Sequence, residues 1–108
     1  MAKLTEVRNE NFDALLERIE SGILKGSVTA SLEEAGDFRE GDARCSVRVF
    51  ERYSYAGSNR VSLTVTLFQQ GDGPVHIFAA TAGGSQAMFF KLNTWGEDTF
   101  LDKLRQLL

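Results

Sequence analysis

In three segments between Ser27 and Leu67 apolar side chains recur on every second residue, a spacing that sends alternate side chains to opposite faces and that no helix produces. "SVTASLEE" sets Val28, Ala30 and Leu32 against Ser27, Thr29 and Ser31. "ARCSVRVF" sets Cys45, Val47 and Val49 against Arg44, Ser46 and Arg48, and "VSLTVTLF" sets Val61, Leu63, Val65 and Leu67 against Ser62, Thr64 and Thr66. Segments of this kind form antiparallel strands with one buried face. The expected connections, "AGDFREGD", "AGSN" and "GDGP", carry the Gly, Asn, Asp and Pro of hairpins and short loops. "VHIFAATA" reads as a fourth strand, with Val75 and Ile77 on one face and His76 and Phe78 on the other.

Helical spacing holds at both ends of the chain. In "NFDALLERIESG", Phe12, Leu15, Leu16 and Ile19 form a stripe, Asn11 can cap, Asp13 sits in the positive first turn and Gly22 can end the helix. The Thr94-Trp95-Gly96-Glu97 run fits a capping box, and Phe100, Leu101, Leu104, Leu107 and Leu108 continue it as an apolar stripe. Between them, "SQAMFFKLN" (Ser85 to Asn93) fits a fifth strand with Met88, Phe90 and Leu92 on one face, or a short helix capped by Ser85; Gly83-Gly84 favours the strand. "KLTEVR" before the first helix allows one more short strand.

A length of 108 residues, 43% of them apolar, gives a single domain over residues 1–108 with one core. The expected fold class is α+β in two layers: an antiparallel sheet of four to five strands, six at most, with an N-terminal and a C-terminal helix on one face. A formal charge of -3 argues against nucleic acid, where affinity comes from phosphate neutralisation by Lys and Arg. "MAKLTEVRNENF" has no apolar signal segment, and no apolar run is long enough to span a membrane, so a cytoplasmic location is expected. The single cysteine, Cys45, agrees with a reducing compartment.

With "KLTEVR" as a strand, the element order resembles the strand-helix-four-strands-helix pattern of TATA-binding-protein-like and helix-grip folds, an analogy that carries no function. The runs "RCSVRVFERYSYAGSNRVSLTVTL" and "TAGGSQAMFFKLNTWGEDTFLDKL" resemble a family of small, uncharacterised bacterial proteins defined only as a domain of unknown function. That resemblance covers the chain from about Gly22 onward. It implies a bacterial cytoplasmic protein and supplies no functional residues.

No chemical motif stands out, and no cofactor or metal set is read. "AGGSQAMFFK" lacks the lysine and hydroxyl spacing of a phosphate loop, and a tight turn explains its glycines. His76 has no second ligand at strand or helix spacing. Cys45, in phase with Val47 and Val49, reads as a small buried hydrophobe rather than a nucleophile. The acidic "EEAGDFREGD" is a solvated loop without the ligand spacing of an EF-hand.

Two clusters remain. The phase of Cys45, Val47 and Val49 carries Glu51, Tyr53 and Tyr55 to the inner face, where a carboxylate beside two tyrosines can bind a ligand. A strand from Ala43 to Tyr55 would run about 43 Å against about 18 Å of helix, however, so its end overhangs and solvates Glu51. On the opposite face Arg44, Arg48 and Arg52 line up with Phe50, beside Thr64, Thr66, Phe68 and Phe78. Arginine interleaved with aromatics on an uncovered face suits a binding surface, although strand propensity alone accounts for the same residues. The expected function is non-enzymatic association as a homodimer. The alternatives are a small-molecule pocket between sheet and helices and, last, an enzyme using Glu51 with Tyr53.

Overall fold

The computed structural model describes residues 1–53, 59–83 and 100–108. Their order is β1 (Lys3–Arg8), α1 (Phe12–Lys25), β2 (Ser31–Glu40), β3 (Ala43–Tyr53), β4 (Arg60–Gln70) and β5 (Val75–Gly83), followed by helical residues 100–107, designated α2. The five strands form one antiparallel sheet in the order β1-β5-β4-β3-β2. Three consecutive hairpins build β2 to β5, and β1 closes the far edge against β5. "KLTEVR" is therefore a strand; the Ser85 to Asn93 segment lies outside the described residues.

Both helices share one core on one face of the sheet. Phe12, Leu15, Leu16, Ile19 and Ile23 of α1 and Phe100, Leu101 and Leu104 of α2 pack on Val61, Leu63, Val65 and Leu67 of β4, Val75, Ile77 and Ala79 of β5, and Leu4 of β1. The alternation in β4 and β5 puts every one of these residues on the same side, as their spacing predicts.

α1 starts as expected, its Asn11 side chain accepting a hydrogen bond from the Ala14 amide at 2.9 Å. It does not end at Gly22. Ile23 extends the buried stripe of Ile19, and Gly22 faces the Leu107 side chain so closely that a Cβ there would overlap it. The helix runs to Lys25, and the Gly26 amide donates to the Gly22 carbonyl at 2.9 Å.

β2 also departs from the reading of "SVTASLEE". Residues 27–30 form a turn with Val28 fully exposed, and the strand occupies Ser31–Glu40, including the "AGDFRE" expected as loop. Being an edge strand, β2 buries little on either side, so no alternation of apolar residues marks it. The reversal falls later, at Gly41-Asp42, where Gly41 adopts φ 57°.

β3 differs most from its expected orientation. Its helix-facing residues are Ser46, Arg48 and Phe50, paired with Leu67, Val65 and Leu63 of β4, and Phe50 is fully buried. Cys45, Val47 and Val49 point the other way. Reading the small apolar residues of this strand as the inner face inverts it, because both of its faces carry apolar side chains. Replacing Phe50 with alanine is expected to cost about 3–5 kcal/mol of unfolding free energy, whereas Phe68→Ala on the open face should change that of the monomer by less than about 0.5 kcal/mol, both read from urea titration at protein concentrations low enough to keep the chain monomeric.

Candidate functional site

The arginines of β3 project toward the helices, and each finds a counterpart there. Arg44 donates to the Asp13 carboxylate at 2.8 Å, and its guanidinium lies 3.8 Å from the centre of the Phe12 ring. Arg48 is almost fully buried; its Nε donates to Glu20 at 2.5 Å, and its other nitrogens reach Asp37 on β2 and the Gly36 and Val47 carbonyls. The guanidinium of Arg52 sits 4.4 Å from the centre of the Phe100 ring.

The spacing explains the match. Seven residues from Asp13 to Glu20 span about 10.5 Å of helix, and four residues from Arg44 to Arg48 span about 13 Å of strand, so α1 running along β3 meets both arginines. Arg44, Arg48, Phe50 and Arg52, expected on an uncovered binding face, thus form part of the sheet–helix interface.

The protonation equilibria carry the same signature. Asp37 titrates below its ordinary 3.8, chiefly through the Ser46 hydroxyl, which donates to it at 2.6 Å, and then through Arg48. Arg44 likewise lowers Asp13, and Arg18 lowers Glu10. For Arg48, burial pulls its pKa down, but hydrogen bonds to Glu20 and Asp37 outweigh this and hold it above the usual value.

The uncovered face belongs to the other side chains. Register places Val7, His76, Phe68, Cys45 and Phe38 in one row across all five strands, and Thr5, Phe78, Thr66, Val47 and Gly36 in the next. None of these ten residues is an Asp, Glu, Lys or Arg. Relative exposures of 64% for Phe38, 49% for Val7, 47% for Phe78 and 41% for Phe68 make the patch accessible rather than nominal. Phe68 and Phe78 are where the sequence placed them. His76 is exposed, its ring 6.3 Å from that of Phe68. Cys45 is half-buried on this open face, not inside the core.

Charge returns only at the margin. The third row runs Lys3, Ala80, Thr64, Val49 and Glu34, with its two charged residues on opposite edge strands. Glu51, carried to the inner face by phase but expected to be solvated at the strand end, shares the open side with Val49 and forms an ion pair with Arg60 at 3.3 Å. Arg60 also lies 5.6 Å from the centre of the half-exposed Tyr53 ring. The carboxylate is thus occupied by a surface cation, and Tyr55 lies outside the described residues. Shallow depressions flank the β2–β3 turn, lined by Asp37, Arg39, Arg44 and Ser46 toward the helices and by Phe38, Cys45 and Phe68 toward the open face. Among the described residues, no His, Cys, Asp or Glu cluster of three or more is arranged to hold a metal ion, and no helix is long and apolar enough to cross a membrane.

A sheet with two helices on one side and two uncharged rows on the other defines a two-layer α+β domain. The chain belongs to a family of unknown function (DUF6054), whose model matches residues 1–108, so the likeness extends upstream of Gly22 to the first residue. No curated protein and no solved structure matches it.

In the ionic layer, Arg48→Ala should lower stability by about 1–3 kcal/mol through lost charge-assisted bonds and stem packing. Arg48→Lys should recover only part of this, because an ammonium lacks the fork that serves two carboxylates. Carboxylates with depressed folded-state pKa stabilise fully above their unfolded values and lose that contribution as pH falls through the folded ones. The urea midpoint should therefore drop between about pH 5 and about pH 2, and Asp37→Asn should flatten that decline. An equal decline in the variant would remove Asp37 from the account.

Proposed function

We propose that this protein acts by non-enzymatic association through the open face of its sheet, with a second copy of itself as the partner. The observation that carries the reading is the pair of uncharged rows spanning all five strands, with Phe38, Phe68 and Phe78 exposed on the side away from the helices. Interface centres are depleted in charge and enriched in aromatics, and contiguous exposed apolar patches are uncommon on monomers.

Size favours a second copy. Five strands at about 4.8 Å spacing, over about 30 Å of strand length, give a face on the order of 700 Å². A stable interface buries roughly 800 Å² per partner, so one face against its own copy is near the required area. Two sheets packed face to face form a sandwich, in which both uncharged rows become a second core. Homodimers with two-fold symmetry are also the commonest oligomers.

Sedimentation velocity of the wild type across a concentration series is expected to show a dimer. Phe68→Arg, which sets a charge at the centre of the face, should yield a folded monomer with unchanged helix and sheet content by circular dichroism. In the wild type, Cys45 should react with a thiol reagent more slowly as protein concentration rises, because the dimer covers it. A wild type that stays monomeric at every concentration, or a Phe68→Arg variant that dimerises as well as the wild type, would sink the proposal.

A further inference from the structure

From the charge pattern on the open face we infer the symmetry of the association: the two-fold axis runs along β4, setting Lys3 of each copy against the partner's Glu34. The inference rests on the face-to-face reading above and adds the orientation that reading leaves open.

In the sheet order β1-β5-β4-β3-β2, β4 is the central strand, flanked by two strands on each side. Two identical sheets packed face to face are related by an axis lying between them, either along the strands or across them. An axis along β4 keeps each row opposite itself while exchanging left and right, so β1 faces the partner's β2 and β4 faces its own copy. An axis across the strands keeps each strand opposite itself and reverses the rows.

The third row discriminates between these arrangements. Lys3 and Glu34 occupy its two ends, are both exposed, and form no ion pair with another described residue, unlike Arg8, Arg18, Arg44, Arg48, Arg60 and Arg105. Along β4, the axis brings Lys3 over the partner's Glu34 at both corners, giving two equivalent pairs at the rim. Packed sheets rotate by about 30° relative to one another, and both side chains are long enough to span the offset this introduces at a corner. Across the strands, the reversed rows set Lys3 and Glu34 opposite uncharged residues of the first row, leaving four charges without counterparts.

The same axis suits the side-chain volumes. In the second row it opposes Thr5 to the partner's Gly36 and Phe78 to the partner's Val47, a larger residue against a smaller one each time. In the first row Phe68 meets the partner's Phe68 on the axis, which offsets or tilts the two rings as aromatic pairs prefer.

A charge exchange tests the orientation. Lys3→Glu and Glu34→Lys, each alone, should raise the dimer dissociation constant on the order of tenfold, because each turns two symmetric attractions into repulsions. The two substitutions move net charge in opposite directions, so a general charge effect would not weaken both. An equimolar mixture of the two variants should form a heterodimer of nearly wild-type affinity. One copy then carries carboxylates at both corner positions and the other carries ammonium groups at both, so each corner again joins opposite charges. As a second measurement, in a Cys45→Ser background, Thr66→Cys lies on the axis about 10 Å from its copy and should be joined by a short bismaleimide. Thr5→Cys, two strands away and about 20 Å from its copy, should not. A wild-type dimer with no affinity loss in the single variants, no recovery in the mixture, or cross-linking at Thr5→Cys would overturn the axis while leaving association intact. A monomeric wild type would instead remove the reading beneath it.

Discussion

The alignment of α1 with β3 depends on burying arginine. A guanidinium taken out of water is costly unless every polar hydrogen finds an acceptor, and a charge is costlier still without a counter-charge. Arg48 has both counter-charges in Glu20 and Asp37 and adds two carbonyl acceptors, and it does so only if α1 runs along β3 and β2 pairs in its observed register. The ionic contacts therefore specify how helix and sheet are aligned, while the apolar core supplies the drive for the helix to cover the sheet.

This division accounts for the two unlike halves of the sheet. Over β1, β5 and β4 the helical layer rests on aliphatic side chains in the usual manner of a two-layer domain. Over β3 it rests on arginine stems, with Phe12 and Phe100 beneath the guanidiniums of Arg44 and Arg52, and β2 receives little cover at all. Because β2 is an exposed edge, its register shift between Leu32 and Glu34 and its run of charged residues also discourage pairing with a foreign strand. The proposed association through the face rests on this blocked edge together with the two uncharged rows of the open side.

The fold was largely legible in the sequence, and the site only in part. The helical stripes at both ends and the strict alternation of β4 and β5 have one apolar face each, so their phase has one reading. β3 has apolar residues on both faces, so its period alone does not distinguish the Cys45-Val47-Val49 side from the Phe50 side as the buried one. The available signal was Phe50 itself: the largest apolar residue of the strand lies in phase with the arginines, and α1 offers Asp13 and Glu20 two turns apart to receive them. The position of β2 was hidden for a different reason, since an edge strand exposed on both faces has no hydrophobic period to show. Glu51 is in phase with Cys45, Val47 and Val49, and the inversion that turns this set to the open side explains why it pairs with Arg60 on the surface instead of lining a cavity beneath the helices.

The sequence by itself determined the class of fold, the two helices, the inward sets of β4 and β5, and the outward Phe68 and Phe78, because each follows from a period that only one local geometry satisfies. Tertiary structure decided which face of β3 is inside, and with it whether the arginines or the small apolar residues remain open to contact. That choice is a comparison between burying valine and cysteine and burying arginine with its partners. The partners lie 28 and 11 residues away from Arg48 along the chain, so no local pattern contains the answer.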